Sequence, residues 1–93
     1  MTETARRLVI QGRVQGVWFR GWMKKEADAS GIRGWVRNRL DGTVESVISV
    51  GATEIGRFVE KCRAGPPLAR VAEIVVTPVE QPEGEGFETH PTE

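Results

Sequence analysis

The sequence has no tyrosine, one histidine and one cysteine, and its formal charge at pH 7 is zero. Each shortage closes off a class of chemistry. A lone Cys62 cannot form an internal disulfide, so packing must hold the fold, which suits a reducing compartment. Cys62 also falls on an apolar helical stripe, where it reads as a small buried hydrophobe rather than a nucleophile. His90 lies close to the end of the sequence, poor material for a rigid Ser-His-Asp or Cys-His site. No His/Cys cluster has metal-ligand spacing and no acidic loop resembles a calcium site, so neither a metal nor a cofactor is expected. A chain with no net positive charge is badly equipped for non-specific nucleic-acid binding, which needs many phosphate contacts. No apolar run approaches the roughly 20 residues that span a bilayer. The opening stretch MTETARRLVI lacks the apolar core of a secretory signal, so no membrane association and a cytoplasmic location are expected. An enzyme with this inventory works by positioning and electrostatics.

What is present fits one domain over residues 1–93: 39% hydrophobic and 28% charged residues, with no internal repeat and no linker. Arg6 to Arg13 places Leu8 and Ile10 on one face, a half-buried strand. From Phe19 to Ser30 the apolar positions Phe19, Met23 and Ala27 form a helical stripe, and Gly31 stops the helix. Ile32 to Asn38 and Thr43 to Val50 read as strands joined by an Asp-Gly turn, hence a hairpin. A second helix follows, with Thr53 as its expected N-cap and Ile55, Phe58, Val59 and Cys62 as its buried stripe; GPP at 65–67 ends it. Val71 to Thr77 is a fourth strand, EQPEGEG an acidic loop expected to be flexible, and Phe87 to His90 a short last strand. Two amphipathic helices and one sheet predict an α+β sandwich of the ferredoxin-like kind, βαββαβ, with an antiparallel sheet and both helices on one face. That architecture hosts many functions, so it decides none of them.

The charge is unevenly spread. Residues 1–46 hold nine Lys/Arg and five Asp/Glu, a net of +4, and residues 47–93 hold four and eight, a net of −4. Chance unevenness on a solvated surface and a local anion site in the first half both account for this. The stretch GRVQGVWFR, residues 12–20, sits in that half between a strand and a helix. The first N–H groups of a helix have no internal partners and its dipole end is positive, which favours anions. Gly16 can take positive φ and turn successive N–H groups inward as a nest. Arg20, in the first helical turn, can add a bidentate contact, while Trp18 and Phe19 are expected to wall the loop against the core. On spacing alone an ordinary glycine turn, with Arg20 paired to a surface carboxylate, remains open beside the anion cradle. Neither GxGxxG nor the GK[ST] of a Walker loop is present. Asn38, entering the hairpin turn, is equally open: a favourable turn residue, or a neutral amide able to hold a water without repelling an anion. Trp35 is most simply core or sheet-face packing.

Together GRVQGVWFR, the following GWVRNRLDGTVE at 34–45, and then GPP and a β-rich tail resemble the acylphosphatase family from Leu8 to Phe87. The resemblance implies a small, metal-independent ferredoxin-like hydrolase that splits the carboxyl-phosphate bond of acyl phosphates and releases inorganic phosphate. It implies a phosphate-binding loop of Val14, Gln15, Gly16, Val17, Trp18, Phe19 and Arg20. Within that implied site Arg20 is the essential arginine and Asn38 the water-orienting residue. Two positions depart from the family pattern. Arg39 stands where relatives often carry threonine or another small residue, and would add positive potential at the mouth of the site. Thr89 stands where an aliphatic residue is common. The alternative class is a non-catalytic module that binds a phosphate or other anionic ligand on the same fold; the presence of Asn38 beside Arg20 argues for catalysis. An RNA-binding sheet is disfavoured because the strand TVESVISV has no aromatic residue. Nothing in the sequence demands more than a monomer.

Overall fold

The structure, a computed structural model, describes residues 3–93. Its elements run β1 (Glu3–Arg13), α1 (Phe19–Ala29), β2 (Arg33–Asn38), β3 (Val44–Gly51), α2 (Ala52–Ala64), β4 (Arg70–Pro78) and β5 (Phe87–Thr89). The sheet order is β4-β1-β3-β2-β5. The first four strands pair antiparallel, as the βαββαβ pattern predicts. To them β5 adds a short parallel edge against β2, pairing Gly34 with Phe87 and Val36 with Thr89.

Both helices bury the stripes read from the sequence: Phe19, Met23 and Ala27 from α1, and Ile55, Phe58, Val59 and Cys62 from α2. They meet Leu8, Ile10, Val36, Val44 and Ile48 from the sheet in one apolar cluster. Each such side chain contributes roughly 1.5–3 kcal/mol when fully buried. The expected Thr53 cap is not made. α2 begins at Ala52 with Gly51 as its N-cap and no side-chain cap bond, because β3 runs into the helix without an intervening loop. Glu54 in its first turn and Lys61 and Arg63 in its last still complement the helix dipole.

The opposite face of the sheet carries charge in place of helices. Glu45 in β3 is 5% exposed. Its carboxylate accepts hydrogen bonds from Arg7 Nε at 2.6 Å and Arg37 Nε at 2.8 Å. Burial pushes the Glu45 carboxyl up, but the two guanidinium groups outweigh it and hold the group below its ordinary value. A carboxyl depressed in the folded state stabilises above its unfolded pKa and loses that contribution as pH falls through the folded one. Glu45→Gln should therefore lower unfolding stability at neutral pH by about 2 kcal/mol. In urea titrations the gap between parent and variant should close as pH drops below the ordinary value of 4.5. A constant gap across that range would assign the loss to packing alone.

The acidic segment after β4 docks onto this face. Arg33 donates to the carbonyls of Pro82 and Gly84, and Gln81 Nε2 donates to the Glu3 carbonyl at 2.8 Å. Trp35 also lies here, stacked on His90 with ring centroids 5.1 Å apart and the Arg37 guanidinium 5.0 Å from its centre. It packs on the sheet face, as expected.

Candidate active site

β1 and β2 are both antiparallel to β3, so they run parallel to each other with β3 between them. Their carboxyl ends lie at the same end of the sheet. Ile10 of β1 and Asn38 of β2 both pair with Val44, one row of three across the sheet. Ile10 and Val44 point into the helix-side core, and cross-strand partners share a face, so Asn38 stands on the helix side too. The turn from β1 into α1 lies at the same end.

That turn starts at a bulge. The β1–β4 register shifts between Gln11 and Gly12, where a Cβ on Gly12 would overlap the Arg70 carbonyl. Val14 and Val17 then bury their side chains. Gly16 between them takes φ 75°, and the space where a Cβ would stand is open. Trp18, the N-cap of α1, is also left-handed, at φ 65° and ψ 29°. Among the described residues no backbone N–H from Gln15 to Gly21 reaches an acceptor; the first helical bond runs from Trp22 N to the Trp18 carbonyl at 3.0 Å. Unlike α2, α1 has no acidic residue in its first turn, and like α2 it has no side-chain cap. The result is a row of free donors at the positive end of a helix dipole, the local chemistry of an anion site.

A cleft of about 300 Å³ opens there, lined by Val14, Gly16, Trp18, Phe19, Arg20, Gly21, Asn38 and Thr89. Arg20 makes no hydrogen bond or ion pair to any described residue, nor does the Asn38 side chain. The ordinary-turn alternative had Arg20 paired to a surface carboxylate, and no such pair is present among the described residues. Among those residues, too, no three His, Cys, Asp or Glu side chains converge in a way that could hold a metal ion.

The two motifs are tied together by a residue whose role the sequence did not reveal. Gln15 Nε2 donates to the Arg39 carbonyl at 2.8 Å and to the Thr43 carbonyl at 2.9 Å, bridging both sides of the hairpin turn beyond Asn38. Asp41 stiffens that turn, accepting from Thr43 N at 3.0 Å and Thr43 Oγ1 at 2.7 Å. On the other side the chain after β5 continues along β2: His90 N donates to the Val36 carbonyl at 2.8 Å and Glu93 N to the Asn38 carbonyl at 3.1 Å. Thr89, at the end of β5, thereby becomes a wall of the cleft.

Two sequence expectations, those for Trp18 and Arg39, change in detail. Phe19 is 2% exposed and walls the loop against the core as expected, but Trp18 is 63% exposed: its left-handed backbone turns the side chain outward. Gln15 and Val17 contribute no side chain to the cleft, since one faces the hairpin and the other the core; what they offer it is backbone N–H. Arg39 approaches Asp41 at 3.8 Å, which offsets part of its charge, and does not line the cleft. Gly21 and Thr89 line the cleft without having been singled out as site residues.

Fold and cleft together define a class: a ferredoxin-like α+β protein with an open cleft at the β1–α1 turn, lined by Arg20 beside free backbone donors. Residues 6–89 match the acylphosphatase family. The chain is 52% identical over 80 residues to the acylphosphatase of Albidiferax ferrireducens, covering 86% of this chain and 87% of that one. It is 47% identical over 83 residues to the acylphosphatase of Rhodospirillum rubrum, covering 89% and 91%. The crystal structure of acylphosphatase from Bacillus subtilis superposes with a TM-score of 0.86 at 38% identity, covering 92% of this chain and 97% of that one. The chain belongs to the acylphosphatase family, the hydrolase family that its two motifs resemble.

Proposed function

We propose that this chain hydrolyses the carboxyl-phosphate bond of small acyl phosphates, giving a carboxylate and inorganic phosphate, with Arg20 and Asn38 as its catalytic residues. The observation that carries the reading is the run of unpartnered N–H groups from Gln15 to Gly21, opening on one cleft with an unpaired Arg20 and an unpaired Asn38 amide. The phosphoryl oxygens take the N–H groups of the loop from Val14 to Arg20, and the Arg20 guanidinium grips two of them. Asn38 holds a water in line with the scissile P–O bond, opposite the departing carboxylate.

Phosphoryl transfer through a loose transition state needs little nucleophilic push, so alignment and charge stabilisation suffice. The water's proton passes to a phosphoryl oxygen of the substrate, as no base is among the described residues that line the cleft. The bond to phosphorus breaks with its electron pair going to the carboxylate, a good leaving group. A phosphate monoester must expel an alkoxide, and the described residues lining the cleft include no carboxylic acid or histidine to protonate it. Inorganic phosphate, held by the same donors, is both product and competitive inhibitor. The whole site comes from one domain, residues 1–93, so a monomer is sufficient. A cytoplasmic location is part of the same reading, supported by a single buried cysteine.

A substrate panel tests this directly: acetyl phosphate and benzoyl phosphate should be turned over, and phosphate monoesters and nucleotides should not. Comparable turnover of monoesters would contradict the leaving-group argument. Activity should also survive EDTA and thiol-blocking reagents. Cys62 is buried, and burial pushes its thiol up to about 12, so almost no thiolate is present at neutral pH. Loss of turnover with the chelator would point to a metal that the mechanism lacks.

A further inference from the structure

Trp18 carries a large apolar side chain that the phosphoryl half of the reaction, which takes only its backbone N–H, does not use. At φ 65° its backbone occupies a region that bulky residues rarely adopt. That conformation turns the side chain away from the core and onto the rim of the cleft, where it is 63% exposed. The indole leans on the first turn of α1 at Gly21, where any Cβ would overlap the ring. Among the described residues no aromatic ring or cation stacks on the indole, and its Nε1 donates no hydrogen bond. A flat apolar face is thus held over the entrance with nothing covering it.

An acyl phosphate has two ends. One enters the donor row; the other, the acyl group, leaves on the far side of phosphorus from the attacking water. With that water on Asn38 at the end of β2, the acyl group projects away from β2, and Trp18 offers the large apolar surface on the loop side of the cleft. We propose that the Trp18 ring is the platform for the acyl group and a specificity determinant of this chain, its flat face separating an aromatic acyl group from an acetyl group. The proposal rests on the hydrolytic reading above. Ring-on-ring packing prefers offset or edge arrangements, which an open rim permits without a closed pocket.

The test compares kcat/KM for benzoyl phosphate and acetyl phosphate in the full chain and in three variants, with inhibition by inorganic phosphate as a control. Trp18→Asn removes the ring while tolerating the left-handed backbone, and Trp18→Gly does so with still less strain. Trp18→Phe keeps a flat face. The expected result is a fall of about 5-fold or more in the benzoyl-to-acetyl ratio for the Asn and Gly variants. Trp18→Phe should restore most of the ratio, and phosphate inhibition reads any change in the loop's own donors separately from the loss of the ring. Equal losses on both substrates would assign Trp18 to loop geometry and overturn the platform, as would an unchanged ratio. If the native chain turned over neither substrate, the hydrolytic reading itself would fall and take this one with it.

Discussion

Arg20→Ala should abolish acyl phosphate hydrolysis, with a fall in kcat of about 10³-fold or more, the scale on which an arginine stabilises a transferring phosphoryl group. The guanidinium is the cation lining the cleft, and no described carboxylate competes for it. Its removal leaves only backbone donors to meet the charge that spreads over the equatorial oxygens. Phosphate inhibition should weaken in parallel, because product and transition state share the same oxygens. Arg20→Lys should recover little, since an ammonium cannot make the paired contacts of the guanidinium fork. The fold should not suffer. A cation in the first turn opposes the helix dipole, and α1 has no acidic residue there to balance it. Losing that charge should leave the thermal midpoint unchanged or raise stability by ~0.3–1 kcal/mol. An inactive variant with an undiminished midpoint separates catalysis from folding; near-normal turnover would remove Arg20 from the mechanism.

Asn38→Ala is expected to act on a different parameter. In the proposed mechanism the amide orients water and does not bind the phosphoryl group, so kcat should fall about 10²- to 10³-fold while phosphate inhibition stays near the parent value. Asn38→Asp is the sharper companion. It has almost the same shape, but its carboxylate would face a dianion, so both turnover and phosphate affinity should drop. The backbone around Asn38 is held from three sides, by β3, by the Glu93 N–H and, through the hairpin, by Gln15. Loss of a side chain should not move it. A change confined to KM would contradict the water-holding role.

Much of this arrangement was legible before any coordinates, for identifiable reasons. The helices announced themselves because a buried stripe needs apolar residues at helical spacing, and Phe19-Met23-Ala27 and Ile55-Phe58-Val59-Cys62 have it. The hairpin followed from Asp41-Gly42; glycines ahead of a helix with Arg20 in its first turn left an anion cradle and an ordinary turn both open, and only the resemblance chose between them. What escaped depends on tertiary placement. Nothing local tells Gln15 that the Arg39 and Thr43 carbonyls will lie within its reach. The outward turn of Trp18 could not be read, since a tryptophan beside a phenylalanine ordinarily suggests core and the left-handed backbone has no marker in a non-glycine residue. The Thr53 cap failed because propensity favours threonine there, while the continuous run of β3 into α2 put the helix start at Ala52. The charged face of β3 was also hidden: Glu45 in TVESVISV reads as an outward polar residue, and only the register brings Arg7 and Arg37 to it.

The row of Ile10, Val44 and Asn38 has a consequence for how this molecule comes into being. The donor loop hangs from one strand and the Asn38 amide from another, and the two strands never touch; β3, which comes last of the three in the chain, lies between them. Slipping β3 by a single residue would turn its core side chains to the wrong face and spoil the span across which the two halves cooperate. No partial product of synthesis that stops short of β3 can hold both halves in place. Turnover therefore behaves as a tally of molecules whose three central strands have found their proper alignment, and a substrate assay during refolding would read assembly of the sheet directly.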